Sequence, residues 1–346
     1  MDYTRRKRII LNHIRCLYDN NIIVLVKKAY KSYIYMGKGN RIDMKIYNSL
    51  DDVKLKNSIV TVGKFDGLHM GHREIIRKMK DIKMDDEQLV VITFATMPSD
   101  VFSDESSKMI LTQNEKIRYF EMQNIDVLIV IEDVKDLLLM SAEEFVDKIL
   151  IDKLDTVHFV CGDDFRFGKD RIGDVAYLKE HGKDKFDVYN LEKIKYDKNE
   201  VSSSRIRECI VNGDIKTAND MLLSKFSFIG VVEHGAHIGT GMKMPTVNII
   251  PDEDKIIPPF GVYASTVVIE KDEYKGITNI GTKPTVSNKE IVGVETHIFD
   301  VDMDLYDKIV EVKIYDFIRP ERKFANLTEL KAQVDKDMSK VRDMNL

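Results

Sequence analysis

Ser58 to Arg73, SIVTVGKFDGLHMGHR, runs an apolar segment into a glycine-punctuated loop and then into a helical pattern, with two histidines three residues apart near the junction. An apolar run of this length, bounded by turn residues, reads as a buried strand. A strand ending at Gly63, a turn at Asp66-Gly67 and a helix starting near Gly71-His72 put a helix N-terminus at the carboxyl edge of a parallel sheet. Free N–H groups and the helix dipole favour an anion there. His69 and His72 would project at that anion, able to hydrogen-bond a phosphate and to stabilise charge on a leaving pyrophosphate without acting as nucleophiles. Two histidines in a glycine loop also suit a structural or metal-binding role, because HxxH alone is a weak signal. The FDG before the pair and Gly71 within it favour the nucleotide.

The surrounding chain supplies the sheet that this unit needs. From Met44 (MKIYNSL) onward, short β-like runs alternate with amphipathic stretches, as in a parallel sheet with crossover helices. Gln88 to Phe94, Val127 to Ile131 and Thr156 to Val160 read as further strands, with helices over Arg73 to Lys83 and Asn114 to Gln123. Ser141 to Leu150 opens with a capping box. Asp187 to Ile194 adds a candidate strand, and VSSSRIRECIVNGD begins a serine-capped helix ending near Gly213. The pattern predicts a doubly wound α/β domain over 44–221. After about residue 222 the runs FSFIGVVEHG, PTVNIIP, GVYASTVVIE, YKGITNIG, VGVETHIFD and DKIVEVKIYDFI are closely spaced and separated by Gly, Pro, Asp or Asn. They predict an antiparallel β-barrel over 222–346. A last helix, Leu327 to Met338, places Leu330, Val334 and Met338 on one face. Two domains suit 346 residues.

Charge separates off the first segment. Residues 1–43 hold ten Lys/Arg against three Asp, while the whole chain is acidic at −5. A basic arm can bind nucleic acid or an anionic membrane. The segment lacks sustained periodicity, however, and is expected to be a basic extension, non-native or disordered, with no nucleic-acid partner. No apolar run approaches the roughly 20 residues of a membrane span, and the basic cluster Arg5 to Arg8 leads into no apolar signal-peptide core. Cys16, Cys161 and Cys209 stand apart without CxxC spacing, so neither a disulfide framework nor a zinc site is indicated and a reduced, cytoplasmic chain is expected. There is no GxxxxGK[ST], so a Walker-type loop is excluded as an ATP site.

GKFDGLHMGH resembles the nucleotidyltransferase signature of the bifunctional bacterial riboflavin kinase/FAD synthetase family, and the resemblance continues in order through residues 44 to 340. CGDDFRFGKDRIGD and VSSSRIR are similar to that family's second and third nucleotidyltransferase motifs. MPTVN, GVY, TNIGTKPTV and VETHIFD are similar to its riboflavin-kinase signatures. The resemblance implies a Rossmann-like α/β nucleotidyltransferase followed by an antiparallel β-barrel kinase with a C-terminal helix. It implies phosphorylation of riboflavin by ATP to FMN, then adenylylation of FMN to FAD with release of pyrophosphate, both with Mg²⁺.

Carried across residue by residue, the resemblance implies that His69 and His72 hold ATP phosphates within a loop built from Gly63, Phe65, Asp66, Gly67 and Gly71. Asp164 contacts the nucleotide, and Ser203, Ser204 and Arg207 hold the departing pyrophosphate. An arginine fork and helix-start hydroxyls suit phosphate. In the barrel, Gly239 lies on the ATP, Thr246 and Asn248 bind Mg²⁺ and ATP phosphate, and Glu295 is the base. A hydroxyl, an amide and a carboxylate meet the needs of phosphoryl transfer. Read without the family, PTVN is a strand entry, Glu295 an alternating polar residue and VSSSRIR an ordinary capped helix.

The chain departs from the family pattern at four places. Met97 stands where a histidine is usual, Thr240 where an arginine is usual, and Lys243 and Asp307 where glycines are usual. Lys243 costs on the order of 1 kcal/mol if its φ is positive, or it donates a charge to ATP. A monofunctional FMN adenylyltransferase with an impaired kinase barrel and a non-catalytic flavin-binding regulator are the alternatives. The intact His69, His72, Ser203, Arg207, Thr246, Asn248 and Glu295 weigh against both.

Overall fold

In the computed structural model, which describes residues 44–100, 107–233, 246–284, 290–301 and 303–346, the apolar runs become strands of two separate six-stranded sheets. The first half runs β1 (Lys45–Tyr47), β2 (Ser58–Val62), α1 (Met70–Ile82), β3 (Gln88–Phe94), α2 (Gln113–Met122) and β4 (Val127–Ile131). There follow α3 (Lys135–Leu139), α4 (Ala142–Glu144), continued by the π-helical turns of Phe145–Lys153, β5 (Thr156–Gly162), α5 (Val175–His181) and β6 (Asp187–Leu191). A small hairpin, β7 (Lys195–Tyr196) with β8 (Asn199–Glu200), leads into α6 (Ser203–Val211) and α7 (Ile215–Leu222).

All pairings in the first sheet are parallel, in the order β1-β4-β3-β2-β5-β6. Successive strands step outward from β2 to β4, and the chain then crosses to β5 on the other side of β2. The loops after β2 and β5 therefore share the crevice at the sheet's carboxyl end where strand order reverses, which is where such sheets bind ligands. Val60, Val90, Ile92, Val127 and Ile129 pack on one face with Phe145 and Ile149. Ile59, Val91 and Leu128 pack on the other with Ile76 and Met79 of α1. Helices on both faces explain why these strands read as continuous apolar runs. The capping box at Ser141 is formed with Glu144, and a second joins Thr112 to Glu115 at the head of α2. α5 and α7 are helices that the sequence reading did not delimit.

The second sheet is antiparallel: β9 (Phe226–Val231), β10 (Thr246–Ile249), β11 (Gly261–Ile269), β12 (Asp272–Pro284), β13 (Glu290–Ile298) and β14 (Ile309–Pro320), ordered β10-β13-β12-β11-β14-β9. It curls until its edges meet: Glu233 N–H donates to Asn248 O at 2.9 Å, and a Cβ on Gly230 would lie 2.4 Å from Ile249 Cγ2. Only glycine lets β9 approach β10 this closely. The barrel interior holds Val247, Tyr263, Ile280, Val294 and Val312. Ile110, Ile206, Ile210 and Leu222 from the first half join that same core. On the opposite face lies α8 (Leu327–Arg342), whose Met338 and Val341 pack with Val262 and Ala264.

The α/β half and the antiparallel barrel with its C-terminal helix are thus both present. No helix among the described residues is long and apolar enough to cross a membrane.

Candidate active sites

The loop after β2 is built from strained backbone held by packing. Phe65 and Leu68 adopt left-handed φ of 46° and 47°, and Gly67 a φ of 86°. The two side chains are buried pegs, each 1% exposed, and Phe65 stacks edge-on against Phe120. Such backbone cost persists where packing over-determines it, often at functional sites. Gly63 leaves room for the Phe65 ring, Gly67 for Ile110 and Leu222, and Gly71 for the His69 ring. These glycines shape the loop.

His69 is the N-cap residue of α1, yet its side chain makes no cap hydrogen bond. Its ring stacks on that of His72 with centroids 3.8 Å apart. The Nδ1 atoms of both are buried without a partner. Burial lowers the pKa of His69 to about 4. Burial, then His69, push His72 well below the ordinary histidine value. Both rings are therefore neutral at pH 7, so each offers a phosphate an N–H donor rather than a fixed positive charge.

Asp66 lies at the centre of the loop rather than on its rim, with no exposed surface. Its Oδ1 accepts from the N–H groups of Ile110 and Leu111 at 2.9 and 3.0 Å. Its Oδ2 accepts from Arg207 Nη2 at 2.5 Å. Ser203 Oγ donates to the Asp66 carbonyl at 2.7 Å, and Arg207 Nε to Lys108 O at 3.1 Å. The start of α6 is thereby fastened to the β2 loop across 137 residues of sequence. The residue that caps α6 is Ser202, which accepts from Arg205 N–H; Ser204 is exposed on the first turn. Asp164 follows β5 at the sheet's carboxyl end and faces Lys193 Nζ at 3.2 Å.

Lys64 was not among the residues singled out from sequence. Burial, then Arg207 and Arg171, lower the pKa of its ammonium. Asp100 and Asp66 act in the opposite sense, so Lys64 stands among charges of both signs beside the neutral histidines. The signal in the sequence was the lysine inside GKFDG, masked by the commonness of exposed lysines.

The second site lies on the outer face of the barrel, under α8. Asn248 of β10 stands opposite Glu295 of β13, which in turn stands opposite Asn279 of β12. Thr246, two residues from Asn248, is opposite His297. The alternation of side chains puts these groups on one face. Thr246, Asn279, Glu295 and His297 line a cleft of about 690 Å³ closed by Phe324 and by Leu330 and Val334 of α8. Arg319 donates to Asp337 at 2.7 Å, tying β14 to that helix.

Lys283 reaches across Gly293, where a Cβ would meet its stem at 2.5 Å. Its ammonium donates to Asn248 Oδ1 and lies 3.8 Å from Glu295 Oε2. A cation already sits beside these oxygens, and the Asn248 amide oxygen and the Thr246 hydroxyl are hard donors of the kind Mg²⁺ accepts. The donor set fits that ion. Among the described residues no cluster of three or more His, Cys, Asp or Glu could hold a metal by itself, so phosphate oxygens would complete the shell.

Gly239, Thr240 and Lys243 lie outside the described residues. Met97 is buried at 5% exposure. Asp307 adopts a left-handed φ of 62°, the conformation for which a glycine would be the unstrained choice.

Two family models match the chain: one described as FAD synthetase over residues 51–205, and one described as riboflavin kinase over residues 222–345. A protein of Buchnera aphidicola subsp. Schizaphis graminum, named bifunctional riboflavin kinase/FMN adenylyltransferase, is 35% identical over 308 residues, covering 86% of this chain and 98% of its own. Proteins of the same name from Bacillus subtilis and Escherichia coli K12 are 34% and 30% identical, covering 81% and 84% of this chain and 90% and 93% of theirs. Among solved structures, one titled a macrolide-efflux protein from Streptococcus pneumoniae matches with a TM-score of 0.78 and 27% identity, over 87% of this chain and 99% of its own.

Proposed function

This chain belongs to the family of bifunctional riboflavin kinase/FMN adenylyltransferases, and from that premise we propose how its two sites divide the work. The protein phosphorylates riboflavin with ATP to give FMN and ADP, and adenylylates FMN with ATP to give FAD and pyrophosphate. Residues 44–221 carry the second reaction and residues 222–346 the first. The observation that supports this division is the coincidence of two matched segments with two separate residue clusters, the stacked His69 and His72 rings after β2 and the facing Asn248 and Glu295 on the barrel sheet. The pneumococcal title speaks of efflux; the sequence relatives and both family models speak of flavin transferases, and the reading follows them.

In the barrel, Glu295 takes the proton from the terminal ribityl hydroxyl of riboflavin as its oxygen attacks the γ-phosphorus of ATP and ADP departs. Thr246 and Asn248 would hold Mg²⁺ and an ATP phosphate, and the ion would supply neutralisation of phosphate charge. Gly239 belongs to the same ATP site by resemblance. Lys283, which donates to Asn248 Oδ1, holds that amide oriented.

In the α/β half, a phosphate oxygen of FMN attacks the α-phosphorus of ATP in line, and pyrophosphate leaves without a covalent enzyme intermediate. The neutral His69 and His72 donate N–H hydrogen bonds to the phosphates, the β2 loop from Gly63 to Gly71 encloses them, and Lys64 and Arg207 supply the charge. Asp66 acts on Arg207 by holding its guanidinium rather than by touching ATP. Ser203, Ser204 and Asp164 complete the rim.

Riboflavin, FMN and ATP are the partners. Free Cys161, whose thiol burial pushes up to about 12, and free Cys209 accord with a cytoplasmic protein. The monofunctional alternative rests on Thr240 and Lys243. Incubating the protein with riboflavin, ATP and Mg²⁺ and separating the flavins by chromatography tests the reading. Both FMN and FAD are expected; neither appearing would end it, and FAD formed from FMN but not from riboflavin would select the monofunctional alternative.

A further inference from the structure

Lys255 lies between β10 and β11, inside the segment matched by the riboflavin kinase model, yet its side chain points away from the kinase cleft and into the other half. Its ammonium is 2.6 Å from Glu115 Oε2, and the two side chains are 1% and 4% exposed. The ammonium also rests over the rings of Phe226 and Phe228, 4.9 and 5.8 Å from their centroids. Glu115 is simultaneously the capping-box residue of α2, accepting from Thr112 N–H at 2.9 Å.

Around this pair the two halves are stitched by backbone. Met109 N–H donates to Asp254 O at 2.7 Å, and Ile256 N–H donates to Met109 O at 2.8 Å. Lys108 Nζ donates to Glu253 O at 2.7 Å. The same strip of chain then turns inward. Ile110 and Leu111 give their N–H groups to Asp66 Oδ1, and the Lys108 carbonyl holds Arg207 Nε. The neighbours of Lys255, Asp254 and Ile256, thus hold Met109, and the residues covalently flanking Met109 hold Asp66 and Arg207.

Burying an ion pair is a poor way to gain stability, since desolvation of both charges offsets their attraction and an apolar pair could fill the space as well. Direction is what such a pair adds: it permits one register of strip 107–111 against 252–256, where an apolar contact would tolerate sliding. We propose that Lys255 is a positioning residue for adenylyl transfer, acting from the barrel half through strip 107–111 to fix Asp66 and Arg207. This rests on the reading above that Arg207 holds the departing pyrophosphate.

The test is a double variant of the full chain, Glu115→Gln/Lys255→Met, which leaves no lone buried charge and so keeps folding in hand. Both reactions are followed by flavin chromatography with ATP, FMN and riboflavin varied in turn. A fall of tenfold or more in kcat for FAD formation is expected, with KM for FMN unchanged and riboflavin phosphorylation within twofold of wild type. The single variant Lys255→Arg, which keeps the charge and the register, is expected to retain most of the wild-type rate. Unchanged FAD formation by the double variant would overturn the proposal. Loss of both activities in parallel, or failure of the double variant to fold, would also overturn it by showing a purely structural role. Wild-type protein making no FAD from FMN would instead remove the underlying reading.

Discussion

Asn248 on β10 and Glu295 on β13 face each other directly across the sheet, and the ammonium of Lys283 lies between them. This places a cation within reach of the one carboxylate that the proposed kinase reaction uses as its base. Four further measurements bear on the two sites.

Glu295→Gln keeps the shape and the neighbouring hydrogen bonds but cannot take a proton. FMN formation from riboflavin should fall by about 10²–10⁴-fold, the range for loss of a general base, while FAD formation from supplied FMN is unchanged. Rate measurements with each flavin substrate separately check this. Equal loss of both reactions in a folded variant would contradict the separation of sites.

His72→Ala should do the converse. Removing one preorganised donor at the site of developing charge lowers FAD formation by about 10²–10³-fold, with riboflavin phosphorylation intact. Persistence of normal FAD formation would take His72 out of the site.

Histidine burial predicts a pH dependence of stability. The folded pKa of His69, about 4, lies below its ordinary value of 6.5. Between these limits the unfolded chain binds a proton that the folded chain does not. The histidine's contribution is therefore fully present above about pH 6.5 and is lost as pH falls toward 4, amounting to on the order of 3 kcal/mol. Denaturant midpoints at pH 7 and pH 5 should differ less in His69→Asn than in wild type. Identical pH slopes would contradict the assignment.

Asp66→Asn leaves the partly exposed Arg207 facing a neutral amide at a fully buried position. Loss of a charge-assisted hydrogen bond costs on the order of 2 kcal/mol, so the melting temperature should drop by a few degrees and FAD formation should fall with it. Calorimetry of the variant against wild type measures the first. An unchanged melting temperature would mean that the pair is dispensable.

Much of this architecture was legible in the chain. The apolar runs at 58–62, 88–94 and 127–131 became neighbouring parallel strands, because a strand buried on both faces needs apolar residues at every position, and that pattern is local. Ser141 with Glu144 was readable as a capping box for the same reason. The motifs of the β2 loop and of VSSSRIR were legible as segments, and the structure brings them together through Asp66 with Ser203 and Arg207. Asp66, grouped with ATP-binding residues from sequence, turned out to be the buried anchor of Arg207, and the cap of α6 was Ser202, with Ser203 bonded instead to the β2 loop.

What the sequence by itself determined was the order of strands and helices and the division into an α/β half and an antiparallel half. Only the tertiary structure decided that Asp66 meets Arg207, that Lys255 meets Glu115, that Ile110 joins the barrel core, and that Asn248 stands opposite Glu295. The physical reason is range. Periodicity and capping are fixed by interactions within a few residues, whereas these pairings depend on sheet register and on closing loops of up to 141 residues, whose outcome no short window of sequence encodes.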